Sequence, residues 1–500
     1  MAQSVMKFHL ENEVATANLA ADFALALARG DCIALEGDLG TGKSTFARAL
    51  IRALAGDDTL EVPSPTFTLV QSYDSRIPVN HFDLYRVTSE DELDELGLDD
   101  ALENGAALIE WPTRANDRLP LDRITLSLTG SGESRDVEVT GPSKFMDRLA
   151  RSRAARQFLD DNGHLATRRQ FLMGDASSRR YELIGDGKVI LMDAPKTPDG
   201  PPVRDGLPYS QIAHLAEDVS AFMAIAGWLR ANGFSAPDIP AADLTRGLLL
   251  VEHLGDGCIV DEKGIPVPER YEVAIDCLAE LHAISPPEAI ALPNDELYHV
   301  PPYDARAMQI EVELLTDWYL PSKLKGLVDD GVRAAYIGHW QQLFEHLKAA
   351  PKSLVLRDYH SPNLIWRPDQ SGLDRIGIID FQDALIGPQA YDVASLVQDA
   401  RVTVPDHLAR RLLGRYEEKR RAADPEFDSA GFQKFYAIMA AQRACKILGI
   451  FIRLNERDGK PGYLKHLPRM ETYLAGVLTH DALAPLRSWF AGVGIGTSDS

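Results

Sequence analysis

Three polar side chains between Leu354 and Asp383 stand at offsets suited to moving a phosphoryl group. The run LVLRDYHSPNLIWRPDQSGLDRIGIIDFQD delivers Asp358 after one apolar stretch and Asp380 after a second, Ile376 to Ile379, with four residues separating Asp358 from Asn363. At such spacing one carboxylate takes the proton of an acceptor hydroxyl, while an amide oxygen and a second carboxylate hold Mg2+ against nucleotide phosphates. A single Asp after a strand is an ordinary loop cap. Two Asp and one Asn, each just beyond an apolar run, favour chemistry.

A second constellation lies near the start. Cys32-Ile-Ala-Leu-Glu reads as a buried strand and runs into Gly37-Asp-Leu-Gly-Thr-Gly-Lys-Ser44, a full match to G-x-x-x-x-G-K-[ST]. Such a loop folds backbone N–H groups around phosphates, its Lys reaches the terminal ones, and its hydroxyl goes to Mg2+. Gly37, Gly40, Thr41, Gly42, Lys43, Ser44 and Thr45 are therefore the expected nucleotide contacts, with Ser44 also a metal ligand. A helix expected from Lys43 to about Ala55 aims its positive end at the same anion. Two acids follow on strands: Asp83 in VNHFDLYR, read either as a catalytic or as a solvent-facing strand residue, and Glu110 at the end of Ala106–Ile109. An acid at the end of such a strand is where a P-loop enzyme keeps its second metal contact, and a buried carboxylate without a role is costly.

Five hundred residues exceed one hydrophobic core, so at least two domains are expected. A net charge of −22 argues against non-specific nucleic-acid or anionic-membrane binding, and any tRNA contact would need a local basic patch. The four cysteines are scattered, without a CxxC pair, and read as core residues of a reducing compartment. With no signal pattern and no run of about 18 apolar residues, the expected location is cytoplasmic, with no membrane partner.

The elements that must position these groups can be read from periodicity. Residues 4 to 10 read as a strand, Glu11 to Arg29 as a helix, and residues 122–130 and 134–141 as a hairpin about a Gly-Ser-Gly-Glu turn. A helix from Ser143 to Asp161 follows without a Gly/Ser spacer, which places a stiff domain boundary near residue 148. Beyond it come a hairpin around Gly185-Asp186-Gly187, a helix from Gln211 to Asn232, a strand from Leu248 to Leu254, a helix from Tyr271 to Ile284, a Pro-rich loop from Pro286 to Pro302, and a mostly helical tail.

GDLGTGKST, SPTFTLV, HFDLYR and IEWP, in that order, resemble the bacterial ATPase subunit that supports threonylcarbamoyladenosine synthesis on tRNA. The likeness covers residues 1 to about 145. It implies an α/β P-loop NTPase domain, 1–148, whose ATP cycle serves a tRNA threonylcarbamoyl-transferase complex. It also implies that Thr66 and Asp83 belong to a nucleotide-responsive region and that Trp111 lies near the nucleotide.

DYHSPNL followed by IIDFQDALIGPQAYDVASL resembles the aminoglycoside phosphotransferase family, a small-molecule branch of the protein-kinase fold. This implies an α+β kinase-like domain over 149–500, with an N-lobe of about 149–254 and a C-lobe of about 255–500. Asp358 matches the family's catalytic base, Asn363 and Asp380 its Mg2+ ligands, and Asp392 an acid bracing the catalytic loop; Arg357 stands where the family often has Gly. In the kinase plan Ser177 and Ser178 meet ATP phosphates, and backbone groups from Glu252 to Leu254 meet adenine. ATP and Mg2+ are thus expected in each domain. The segment around Gly174–Tyr181 and the tail QRACKILGIFIRLNERDGKPGYLKHLPR resemble cell-wall amino-sugar kinases, which act on the anomeric hydroxyl of N-acetylmuramate or N-acetylglucosamine.

One departure stands out. VILMDAP puts Asp193 where a phosphate-pairing Lys is expected. Lys196, Arg179 and Arg180 are the candidate substitutes; Glu217 reads either as a solvated helix residue, the commoner case, or as the ion-pair partner. Without a substitute, the second half reads as a catalytically silent binding module; antibiotic modification is the third reading. Arg443, Lys446, Arg453 and Arg457 recur on one helical face, which fits a solvated stripe, an anionic substrate group or tRNA.

Overall fold

The structure, a computed structural model, describes residues 4–87, 92, 95–172, 179–196 and 200–495. It divides into two compact units, Met1–Asp193 and Ala194–Ser500.

The first unit is built on a seven-stranded sheet. Its elements are β1 (Ser4–Leu10), α1 (Glu13–Ala26), β2 (Cys32–Glu36), α2 (Lys43–Ala55), β3 (Val70–Tyr73), β4 (Val79–Asp83), α3 (Leu98–Asn104), β5 (Ala106–Glu110), β6 (Ile124–Thr129), β7 (Arg135–Gly141) and α4 (Ser143–Asp161). Strand order is β1-β7-β6-β2-β5-β4-β3. The central strand β2 runs parallel to both β5 and β6, and such a strand is covered on both faces. Alternation then splits its side chains: Ile33 and Leu35 join one core with Phe23, Phe46 and Phe145, while Cys32 joins Phe82, Ala107 and Ile109 in another. The rings of Phe46 and Phe145 each lie 5.2 Å from that of Phe23, locking α1, α2 and α4 onto one face. The hairpin expected at 122–141 is the β6–β7 pair. Three antiparallel strands close the unit: β8 (Arg169–Leu172), β9 (Arg180–Ile184) and β10 (Val189–Asp193).

The second unit opens with short pieces: β11 (Pro202–Arg204), β12 (Leu207–Pro208) and α5 (Tyr209–Ile212), followed by α6 (Ser220–Ala231), the hairpin β13 (Ala241–Asp243) with β14 (Leu248–Glu252), and α7 (Pro268–Leu281). The continuous helix expected from Gln211 to Asn232 is therefore broken. His214 sits at φ +52 and the Ala216 N–H is taken by Asp383 Oδ1 at 2.7 Å, so the helical ladder stops and restarts at Ser220. Likewise the expected loop from Pro286 to Pro302 contains a hairpin, β15 (Ala289–Ala291) with β16 (Leu297–His299), which turns through Asp295 at φ +63.

Next come α8 (Ala305–Leu314), one π-helical turn, α9 (Leu320–Leu324), α10 (Asp330–Leu347), β17 (Lys352–Val355), β18 (Leu364–Trp366), β19 (Ile376–Ile378), β20 (Leu385–Pro388) and α11 (Ala390–Val397). The tail is α12 (Asp406–Ala423), α13 (Ser429–Glu456), α14 (Leu467–Val477) and α15 (Ala484–Gly492). By length and composition α13 is apolar enough to cross a membrane, although Gln442, Arg443 and Lys446 interrupt its apolar residues, and 83% of its apolar window is buried inside the protein. It is the core helix of this unit. Gly449 lets it lie directly against α8, because a Cβ there would stand 2.2 Å from the Leu314 carbonyl oxygen.

Candidate functional sites

The phosphate-binding loop leaves β2 and enters α2 through Gly42, the N-cap residue, at φ +100. Gly37, at φ +140, has no room for a side chain: a Cβ would meet Leu128 O at 2.5 Å and Thr41 Oγ1 at 2.6 Å. Gly40 is also left-handed, and Thr45 stands in the first turn of α2. Lys43 Nζ donates to Gly37 O at 2.8 Å and Asp38 O at 2.9 Å, and lies 3.9 Å from the centre of the Trp111 ring. Burial pushes the Lys43 amine below its ordinary value; Glu110, Asp38 and Asp83 pull the other way. Arg135, which the sequence reading did not single out, clamps the loop from β7 by donating to Thr41 O at 2.7 Å and Gly40 O at 3.3 Å.

Beside the loop the two strand acids meet. Parallel register puts Asp83 on β4 opposite Glu110 on β5, both almost fully buried. Ser44 Oγ donates to Glu110 Oε2 at 2.9 Å, and His81 Nε2 is 3.0 Å from Oε1 of the same carboxylate. Asp83 is not solvent-facing: it accepts from Thr66 Oγ1 at 2.7 Å, Ser64 Oγ at 3.0 Å and the Tyr85 N–H at 3.0 Å. Sequence reasoning missed His81 and Ser64. The period of two offered a signal for His81, since residues 81 and 83 share one face of β4.

In the second unit β17 and β19 deliver the other constellation. Asn363 Nδ2 donates to the Asp358 carbonyl at 2.9 Å and reaches Asp380 Oδ2 at 3.3 Å, so these three residues converge. Those bonds occupy the amide nitrogen of Asn363 and leave its oxygen for other work. Asp380 sits at φ +60, with Gln382 Nε2 on its Oδ1 at 2.9 Å. Asp358 is half exposed, its side chain 47% accessible. Burial acts to raise its carboxyl, but His360, Lys446, Arg443 and Arg357 outweigh that and hold it below its ordinary range.

Asp392, fully buried on α11, accepts from the backbone N–H of Leu356 at 2.6 Å and of Arg357 at 2.9 Å. Burial pushes its carboxyl up to about 7 against the pull of those two donors. Asp399, missed in the sequence, holds the other end of the loop through the Ser361 N–H at 2.9 Å. No local pattern pointed to it.

Arg357, in the place of the usual Gly, takes the left-handed conformation that Gly accepts freely, at φ +68. It is buried, donates to Ala213 O at 3.0 Å, and pairs with Glu311 on α8. Glu311 also binds Lys446 at 2.8 Å and Gln442 at 2.9 Å, both on α13, and Tyr303. Burial alone would raise the Glu311 carboxyl, but Lys446 and Arg357 bring it down to about 2. The basic run is thus not a solvated stripe: Arg443 is buried with Nη1 on Gln398 O, and Lys446 serves Glu311. Arg453 packs over Tyr209, and only Arg457, paired with Asp458, is exposed.

This cluster gives a stability prediction. Glu311→Gln leaves two cations without their buried partner, and should destabilise the second unit by about 3–5 kcal/mol in chemical denaturation. The sign with pH follows from a depressed acid. Glu311 contributes its stability above the ordinary value of 4.5, and that contribution is lost as pH falls towards about 2. The variant should therefore lose stability less steeply than the parent across that window.

Asp193 does not replace the missing Lys. Its carboxylate is buried and receives Arg151 from α4 at 2.6 and 2.9 Å. Lys196, three residues on, has Nζ 3.6 Å from Glu217 Oε2, whereas Arg180 is exposed on β9. The Lys196–Glu217 pair is open to solvent and contributes at most about 1 kcal/mol to stability. Lys196→Ala should leave unfolding unchanged and raise the KM for ATP in phosphoryl transfer about tenfold, the weight of one charge-assisted contact. An unaltered KM would remove Lys196 from the site.

Ser177 and Ser178 lie outside the described residues. Leu254 is buried, and the Glu252 N–H is already given to Asp238 O at 2.8 Å, so that donor is engaged. Among the described residues no group of three or more His, Cys, Asp or Glu side chains has metal-holding geometry.

A P-loop NTPase segment joined to a protein-kinase-like segment is the class these two sites define. Residues 10–137 match the family described as threonylcarbamoyl adenosine biosynthesis protein TsaE, and residues 168–427 the phosphotransferase enzyme family. An N-acetylmuramate/N-acetylglucosamine kinase of Caulobacter vibrioides is 37% identical over 357 residues, covering 68% of this chain and 96% of that protein. A kinase of the same description from Pseudomonas aeruginosa is 34% identical over 312 residues, 60% of this chain and 80% of its own. A tRNA threonylcarbamoyladenosine biosynthesis protein TsaE of Rickettsia bellii is 40% identical over 120 residues, 24% of this chain and 83% of that protein. The chain belongs to the phosphotransferase enzyme family and, through its first segment, to the TsaE family. It is a fusion of the two.

Proposed function

We propose that residues 1–148 act as an ATPase supporting threonylcarbamoyladenosine modification of tRNA. Residues 149–500 then phosphorylate the anomeric hydroxyl of N-acetylmuramate or N-acetylglucosamine. The observation that carries the second assignment is the convergence of Asp358, Asn363 and Asp380 on a loop braced at both ends by buried carboxylates. Asp358 is ionised at neutral pH, half exposed, and so able to accept the sugar hydroxyl's proton. The freed oxygen attacks the γ-phosphorus in line, and the bond to the β-phosphate oxygen breaks. Lys196, held by Glu217, steadies the nucleotide phosphates. His360, followed by Lys446, Arg443 and Arg357, keeps the Asp358 carboxyl low against the effect of burial, which holds the base free of a proton.

In the first segment Lys43 and the loop amides hold the phosphates, with Trp111 stacked on the Lys amine. Thr66 and Asp83 couple the SPTFT stretch to the strand acids. Ser44 and Glu110 would hold Mg2+ there, and Asn363 and Asp380 in the second segment. Few protein oxygens at each place suit an ion that keeps waters and phosphate oxygens as its other ligands. When bound, Mg2+ neutralises charge on the phosphate oxygens. The ATPase segment's partners are the proteins of the threonylcarbamoyl-transferase complex. Four cysteines, all free, fit a cytoplasmic setting for both reactions.

The silent-module reading rests on Asp193, whose carboxylate is committed to Arg151 while Lys196 faces Glu217. The deciding test is ADP release by the full-length Lys43→Ala protein offered N-acetylmuramate, N-acetylglucosamine or kanamycin. Release is expected with an amino sugar and not with kanamycin. ADP release that no sugar stimulates would overturn the kinase assignment.

A further inference from the structure

Val79, His81 and Asp83 share one face of β4. Val79, at the start of that row, belongs to the core, as does Leu108, which lies opposite His81 on β5. Between such neighbours an apolar side chain would pack and leave no polar group unmet. The imidazole does leave one: His81 is 1% accessible, and its Nδ1 has no partner among the described residues. A buried polar atom without a partner costs free energy, so whatever this residue contributes comes through Nε2.

Nε2 lies 3.0 Å from Glu110 Oε1, in a carboxylate that is itself 2% accessible. An ionised carboxylate only accepts, so Nε2 carries a proton and donates. The other oxygen, Oε2, accepts from Ser44 Oγ at 2.9 Å. Glu110 is thus gripped at both oxygens, one from β4 and one from the first turn of α2. Two grips matter here because the terminal torsion of a Glu side chain is broad and fixes no plane by itself. Asp83, opposite Glu110 in the sheet, is held by other donors: Thr66, Ser64 and the Tyr85 N–H.

We propose that His81 is a positioning residue for the Mg2+ of the first segment: by holding Oε1 it sets the plane of the Glu110 carboxylate and keeps Oε2 on the Ser44 hydroxyl. With its proton committed to Oε2, that hydroxyl has its lone pairs free for the ion. Without the imidazole the carboxylate turns about its last bond, and the Ser44 proton loses a fixed acceptor. Groups that orient a metal ligand from behind in this way are worth about 10–100-fold in metal affinity. The inference rests on the reading of Ser44 and Glu110 as the residues that hold the metal.

Two amide substitutions separate reach from chemistry, since a Gln NH2 extends to about where Nε2 stands and an Asn NH2 stops near Nδ1. In the full-length protein, a non-hydrolysable ATP analogue is titrated into the site that Lys43→Ala removes, at a series of Mg2+ concentrations and in EDTA. His81→Gln should keep the parental Mg2+ midpoint within about threefold, whereas His81→Asn should raise it at least about tenfold, with affinity in EDTA unchanged in both. A parental midpoint in His81→Asn would overturn the proposal. So would equal losses in both variants, or a loss as great in EDTA as in Mg2+, because either describes packing and not the metal. Nitrogen NMR of the parent gives a reading that needs no variant to fold. A protonated Nε2 is expected, and a bare Nε2 would overturn the bond itself. Adding Mg2+ to the analogue-bound protein should move that signal, as the ion draws charge from the carboxylate; an unmoved signal would overturn the positioning role. Should the parent site bind the analogue equally with and without Mg2+, the metal reading fails and this role with it, while the Nε2 signal still decides whether His81 holds Glu110.

Discussion

Asp358→Asn is expected to lower kcat for sugar phosphorylation by roughly a thousandfold, about 4 kcal/mol in activation free energy, while ATP still binds. The amide keeps the shape of the side chain but cannot take a proton. Everything that shapes the loop is elsewhere. Asn363 grips the backbone carbonyl of residue 358, not its carboxylate, and Asp392 holds the N–H groups of Leu356 and Arg357. The expected split is therefore a collapsed kcat with a KM for ATP within about twofold, read from initial rates and calorimetric titration of ATP. Near-normal turnover would mean that another group accepts the proton.

Lys43→Ala should abolish ATP hydrolysis by the first segment and weaken its nucleotide on the order of a hundredfold, the weight of one or two charge-assisted phosphate contacts. The amine now bonds two loop carbonyls and lies against Trp111, so its removal takes no buried ion pair from the core. Sugar phosphorylation is expected to stay within about twofold. Loss of both activities together would show one shared nucleotide site.

Much of both sites was legible because their chemistry is written in short, contiguous stretches. The loop from Gly37 to Ser44 carries its own strand and helix signals, and Asp358, Asn363 and Asp380 are fixed by two apolar runs. The acids at 83 and 110 were visible as ends of strands, and parallel pairing brought them together. What stayed hidden depends on distant residues. Glu311 looks like a surface helix acid until α8 meets α13, and Lys446 and Arg443 look solvated until that helix proves to be the core. The substitution of Arg357 for Gly gave no hint of its partner 46 residues earlier. The broken helix after Gln211 was missed because its cause, Asp383, lies far along the chain. The partner of Asp193 stayed hidden for the same reason, since Arg151 belongs to a helix that sequence patterning assigned to the boundary.

Two nucleotide sites on one chain is the claim on which the rest depends. Calorimetric titration of the full-length protein with a non-hydrolysable ATP analogue and Mg2+ tests it most directly. Two analogue molecules per chain are expected at saturation, falling to one in Lys43→Ala. A single molecule per chain in the parent protein would contradict the account.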